Sequence, residues 1–371
     1  MYRHTYNHLA NYAFIFLFIS ILFKNNVTIP GVGRTSLVFY ASIGIMLFFV
    51  ALKNRVTLLP REVMSIIGLI VLSSLISSLY LQNAKPFITF GMFAALLLLL
   101  WNVSTGINKQ SFFVEKSIVW AGILLVLLSF YATPLTMYRY EGMLDMPNSM
   151  GRVSAVLLGN AILFFLFHKS HSWEKYFLSF VILALLMFLL FSNSRAPILA
   201  FSVSIFGVLL MYGIKRKKLF KYVIWTLFVI IASYLVVANF MPNLIEIFAF
   251  KFNRGDGTSG RLELWRSGLV YYDFFGSNQY IGLSHKIDVH NNYLSQALKF
   301  GTVTSILFHF VPVLILLKSI TRFIVREHFE YSTAAVYFMS SFTLIYYVFE
   351  TTAITLSYLL MIYFYSKMHR E

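Results

Sequence analysis

The chain has no cysteine among its 371 residues, so no disulfide staples any part of it, a composition compatible with an oxidising outer compartment. Charge is scarce as well: 12% of residues are charged and 59% are hydrophobic, at a mean hydropathy of +0.75. That balance excludes a soluble globule and leaves a polytopic membrane protein. Acidic residues are the scarcest charged class, 14 against 30 Lys and Arg, for a net charge of +16. Nothing after Phe23 resembles a small-residue cleavage site, and further apolar runs follow at once, so the first run is expected to be retained and not cleaved as a signal.

What is present is a series of apolar runs, each near the ~20 residues that cross a hydrocarbon core of about 30 Å. Twelve are expected: Leu9 to Phe23, Ser36 to Leu52, Val63 to Leu81, Phe87 to Trp101, Ser117 to Thr136, Val153 to Phe167, Tyr176 to Phe191, Pro197 to Ile214, Tyr222 to Met241, Phe300 to Leu317, Tyr331 to Phe349 and Thr351 to Ser366. With the N-terminus inside, 18 of the 30 Lys and Arg fall on the cytoplasmic side, including the cluster KRKKLFK at 215 to 221. Positive charge in short loops stays cytoplasmic, so both termini are expected there and the long 242–299 loop outside. The fold class is all-α, a transmembrane helical bundle whose large outer loop lies between spans 9 and 10. No internal repeat is visible.

Polar residues concentrate in 255–304, the longest segment too polar for hydrocarbon, where Arg261, Arg266, Asp288 and His290 stand close in sequence. Helical spacing is expected from Arg261 to Leu269, with Ser259 as cap; Arg261 and Trp265 share one face, and Leu262, Arg266 and Leu269 another. A helix is expected to start near Asn291 and to run on into the next span. His290 then sits at a helix N-terminus, where the dipole favours a neutral ring that can accept a proton, with Asp288 placed to orient it. Arg266, His285 and Lys286 are accessory candidates for contact with sugar or phosphate.

Two further outer segments stand out. SNSRAP, 192 to 197, joins spans 7 and 8 with almost no loop, so Arg195 is held at the membrane boundary beside a helix N-terminus capped by Ser192 or Ser194. Fixed and partial positive charge together suit an anionic headgroup or a diphosphate. The segment 137–152 carries Arg139, Glu141, Asp145 and Arg152 around a Pro147-Asn148 turn, either a capped loop with Asn148 or Ser149 starting the next helix or a substrate-binding loop. Residues 243–252 read as an amphipathic stretch on the membrane surface. Glu350, between the last two runs, could pair with an outer arginine or cap a tight turn, and the turn is the preferred reading. The outer side has no Asp-x-Asp and no His/Glu spacing for a divalent metal, so a diphosphate there would have to be neutralised by guanidinium groups, which match it bidentately. No cofactor is expected.

Three of these pieces resemble the O-antigen ligase and polymerase superfamily of bacterial surface-polysaccharide glycosyltransferases. SNSRAPILA resembles the family's arginine at the outer end of a span. SGRLELW is similar to its second arginine, and His290-Asn291, then nine residues, then Gly301-Thr302-Val303-Thr304 resembles the histidine motif of the ligases. RYEGMLDMPNSMG is similar to an earlier loop found especially among the polymerases.

The resemblance implies a GT-C-like enzyme of the bacterial inner membrane with its active site on the periplasmic side. It would move glycan from undecaprenyl diphosphate, without a nucleotide sugar, onto lipid A-core in lipopolysaccharide biosynthesis. The alternative is a polymerase with another lipid-linked repeat unit as acceptor. His290 would be the base, and Arg195 and Arg261 would hold the departing diphosphate, in one inverting, metal-independent displacement. Arg139, Arg152, Arg266 and Asn291 are the candidate substrate-binding residues. Residues 1–136 would be scaffold and 137–371 the catalytic region. A chain-length regulator is a candidate partner, and nucleic acid is not expected. The rival class is a lipid-linked oligosaccharide transporter, in which arginines bind a diphosphate and no bond changes.

Overall fold

A computed structural model describes residues 2–23, 28–29, 33–34, 36–51, 56–107, 112–132, 140–144, 146–168, 172–217, 261–283, 289–350 and 355–371. The side chains at 2–8, 21–23, 28–29, 33–34, 36–40, 132, 143 and 261 fall outside that description. So do Arg139, Asp145, the 222–241 run, the 243–252 stretch, Ser259, His285, Lys286 and Asp288.

The chain is helical, as its composition requires. In order come α1 (Tyr2–Phe23), α2 (Ser36–Ala51), α3 (Arg61–Leu81), α4 (Lys85–Gly106), α5 (Phe113–Ala132), α6 (Pro147–Phe167), α7 (Ser172–Phe191) and α8 (Arg195–Lys215). After the 218–260 segment come α9 (Arg261–Leu269), α10 (Asn278–Leu283), α11 (Asn292–Phe300), α12 (Thr302–Val325), α13 (Tyr331–Tyr347) and α14 (Leu356–Arg370). Two two-residue strands, Thr28–Ile29 and Gly33–Arg34, pair antiparallel in the first loop, a small exception to the all-α reading.

Each apolar run expected to span coincides with a helix except 222–241, which lies outside the described residues. Among the described residues, seven helices, α3 to α8 and α12, are long and apolar enough to cross a membrane, and Leu9–Ser20 and Ala41–Ala51 are apolar but shorter. The chain is a multi-pass membrane protein.

Local chemistry sets the helix ends. Pro60 precedes α3 with Glu62 in its first turn, and Gln82 closes it in the left-handed conformation at φ 49°. Pro86 and Pro147 occupy the first turns of α4 and α6, where a missing N–H costs nothing.

The core is built round α13, which packs against α6, α8, α12 and α14 and is buried along most of its length. Small residues allow the approach: a Cβ at Gly159 of α6 would stand 2.1 Å from the Phe338 ring, and one at Gly207 of α8 would stand 2.4 Å from the Tyr337 hydroxyl. Between α4, α12 and α14 an aromatic stack joins Phe93, Phe308 and Tyr358, with the Phe308 and Tyr358 rings 5.8 Å apart and 12° from parallel. Leucine, tyrosine and phenylalanine on α3, α5 and α7 instead face outward, as lipid contact demands.

The two ends of the bundle differ. One gathers the C-terminal ends of α3, α7 and α13, the N-terminal ends of α4, α6, α8 and α12, and the short helices α9 to α11. The other is closed by an ion pair, Lys367 Nζ to Glu115 Oε1 at 2.6 Å, with side chains 3% and 0% exposed. Tyr363 donates to the same carboxylate, and Arg370 caps the C-terminal carbonyls of α4 at Ser104, Thr105 and Ile107.

Candidate functional site

Helices α7 and α8 are separated by only Ser192, Asn193 and Ser194, so α8 starts where α7 stops and Arg195 is its first residue. Asn193 takes the left-handed conformation that reverses the chain, at φ 50°. Ser194 occupies the N-cap position with extended backbone, but its hydroxyl makes no cap bond and donates instead to Asn148 Oδ1 at 2.9 Å. The expected serine cap is therefore replaced by a cross-link to α6.

Asn148 is not a turn residue: α6 already begins at Pro147, with Met146 in the N-cap position, so the expected Pro147-Asn148 turn is a first helical turn. From there the Asn148 amide donates to Glu350 Oε1 at 3.2 Å. Glu350 is buried and reaches across to α6, where the sequence suggested an arginine partner or, preferred, a turn cap. The chain Glu350–Asn148–Ser194 thus ties the end of α13 to the starts of α6 and α8. Their closeness needs Gly151, where a Cβ would stand 2.6 Å from Ser192 Oγ. Half-buried Arg152, one residue on, lies over the Tyr346 ring at 5.9 Å, and Arg195, also half-buried, opens α8.

The histidine segment sits at the same end. Trp265 of α9 donates its indole N–H to the Val289 carbonyl at 2.8 Å, and a Cβ at Gly268 would stand 2.5 Å from a Val289 methyl. Anchored by that contact, His290 adopts a left-handed backbone at φ 45°, an uncommon conformation for a non-glycine residue. Asn291 then caps α11, its Oδ1 accepting from Leu294 N at 3.0 Å. The expected helix start is where it was read.

The expected continuation into the next span is corrected. α11 ends at Phe300, and Gly301, at φ 92°, separates it from α12. The cause is packing: a Cβ at Gly301 would stand 3.0 Å from the Phe275 carbonyl and 2.9 Å from Ser77 Oγ, and Thr302 N donates to Phe274 O. The α9–α11 segment is also pinned to the rim of α3, by Asn278 Nδ2 to Leu81 O and by Tyr80 Oη to Asp273.

Beneath His290 and Asn291 lies a buried polar layer that the sequence reading passed over. Asn292 Nδ2 stands 3.1 Å from His309 Nε2, Gln296 donates to Asn292 Oδ1, and His309 Nδ1 meets the Ser305 carbonyl at 2.7 Å. Tyr293 stacks on His309 at 4.1 Å and donates to the Leu344 carbonyl of α13, and its burial pushes the phenol up to about 12. The signal was present: Asn292 and Gln296 lie four apart on one helix, and His309 interrupts an apolar run.

Of the predicted residues, Arg195, Arg152, His290 and Asn291 thus stand at one end of the bundle, joined through Tyr293 and the end of α13. Arg261 opens α9 as expected, and Arg266 is exposed on the outer face of that helix with Leu262 and Leu269. Among the described residues no three His, Asp or Glu side chains gather into a metal-holding cluster.

The O-antigen ligase family model matches residues 178–309, from the middle of α7 to His309 in α12. No curated protein matches the chain. The matched segment holds Arg195, Arg261, Arg266, His290 and Asn291, while Arg139, Arg152 and Glu350 lie beyond it. The similarity to the O-antigen ligase family thus covers residues 178–309 of the 371.

Proposed function

We propose that the chain is a membrane glycosyltransferase of the O-antigen ligase type. It moves glycan from undecaprenyl diphosphate to lipid A-core on the periplasmic face of the bacterial inner membrane, with twelve spans and both termini cytoplasmic. His290 removes the proton of an acceptor hydroxyl, which attacks the anomeric carbon as the bond to the carrier diphosphate breaks. Arg195 and Arg261 stabilise the departing diphosphate, and the single displacement inverts the anomeric centre. Arg139, Arg152, Arg266 and Asn291 contact substrate, residues 1–136 serve as scaffold, and 137–371 carries the chemistry.

The observation that carries this reading is the gathering of Arg195, at a helix N-terminus, and His290, in a constrained backbone, at one end of the bundle within the matched segment. Cation and helix dipole together suit a dianionic leaving group, and a held imidazole suits proton removal. A polymerase, with a second lipid-linked repeat unit as acceptor, uses the same groups; RYEGMLDMPNSMG at 139 to 151 is the feature that favours it.

The test is transfer by the full-length protein in proteoliposomes, with an undecaprenyl-diphosphate-linked glycan as donor and lipid A-core or a second lipid-linked unit as acceptor. His290→Ala and Arg261→Ala are expected to lower transfer by about 10²–10³. Wild-type rates in both variants would sink the assignment. Transport of the donor without glycosidic bond formation would instead support a carrier.

A further inference from the structure

We propose that His309, buried in α12 and 4% exposed, is the positioning residue that fixes His290 for its role; the proposal rests on the transferase reading above. The Ser305 carbonyl can only accept, so His309 Nδ1 carries the ring proton and Nε2 is left as an acceptor. The Asn292 amide donates to that Nε2, and its orientation is set from the other side by Gln296, which donates to Asn292 Oδ1. The His309 ring also stacks on Tyr293, whose carbonyl accepts from Ser305 Oγ. The first two residues of α11 are therefore both fastened to the same turn of the membrane helix.

His290 stands two residues before Asn292, in a left-handed backbone that persists only where its surroundings impose it. Val289 is held from the α9 side by Trp265 and Gly268, and Asn292 is held from the membrane side by His309. Between those two anchors the His290 backbone has little room to move. His309 contacts the helix start and acts on the reaction only through His290. Misplacing a reacting group by about 1 Å can cost on the order of 10²-fold in rate.

The replacement His309→Leu keeps apolar bulk and removes the acceptor, which leaves the buried Asn292 amide to find another partner. His309→Gln retains an acceptor oxygen. The measurement is the rate at which diethyl pyrocarbonate modifies His290 in the purified full-length protein, read by mass spectrometry of its peptide, beside kcat and KM for transfer. We expect His309→Leu to change the His290 modification rate severalfold and to lower kcat by about 10²-fold with KM little changed, and His309→Gln to restore most of both.

Folded His309→Leu protein with unaltered His290 reactivity and transfer overturns the proposal. If that variant does not fold, Asn292→Ala carries the same expectation, and unaltered His290 reactivity in it overturns the proposal equally. Because His290 reactivity is read without any glycan, this outcome is separate from failure of the transferase reading, which a fully active His290→Ala protein would show.

Discussion

Arg195 is the first residue of α8, with its neighbour Ser194 tethered through Asn148 to Glu350. A guanidinium in that position can meet two phosphate oxygens with a rigid planar fork, which an ammonium lacks. Arg195→Lys keeps the charge and loses the fork, so kcat for transfer is expected to fall by about 10²-fold while the thermal midpoint stays near wild type. Steady-state kinetics with a thermal melt of the same preparation checks both. At this scale the sequence revealed residues whose role is local: Arg195 beside a helix start, and Asn291 as the beginning of α11. It did not reveal Glu350–Asn148 or Asn292–His309, because such pairs join residues 202 and 17 positions apart and only the packed bundle brings them together.

Among the elements, the break between α11 and α12 is the feature that the apolar pattern hid. Phe300 to Leu317 reads as one continuous run, and helix propensity alone would carry α11 across Gly301. The backbone of the 273–276 turn lies against that glycine and leaves no room for a side chain, so tertiary contact overrides local preference. Gly301→Ala introduces a Cβ 3.0 Å from the Phe275 backbone at a φ of 92°, and a destabilisation of about 1–3 kcal/mol is expected. A lowered thermal midpoint with increased proteolysis in 270–300 would confirm it, and an unchanged midpoint would show that the turn yields. The short helix Arg261–Leu269 was legible because its i, i+4 pattern is strong. The number of spans was less so: length and apolarity qualify seven helices among the described residues, whereas the central α13 is rich in Ser and Thr because other helices, not lipid, surround it.

In the whole molecule, the candidate site and the buried Glu115–Lys367 ion pair lie at opposite ends. Glu115 and Lys367 join α5 to α14 with almost no exposure, beside the Phe112 ring, which stands 4.5 Å from the Lys367 ammonium. Removing one partner leaves a buried charge, so Lys367→Leu is expected to cost about 3–5 kcal/mol, and Glu115→Leu with Lys367→Leu to recover most of that loss. Thermal melts of the three variants decide it; equal losses in the single and double variants would mean that packing, not charge, dominates. Transfer by the folded double variant is expected to stay near wild type, because the pair is remote from Arg195 and His290.

The central claim is that His290 at the opposite end drives transfer of a lipid-linked glycan. The most direct measurement is the lipopolysaccharide banding of a strain deleted for this gene and complemented with wild type or His290→Ala, together with the glycan length on its undecaprenyl carrier. The account predicts a surface ladder with wild type, and with His290→Ala no ladder and long polymer stranded on the carrier. Core bearing a single repeat and no polymer on the carrier would make the protein a polymerase, and a full ladder with His290→Ala would contradict the account.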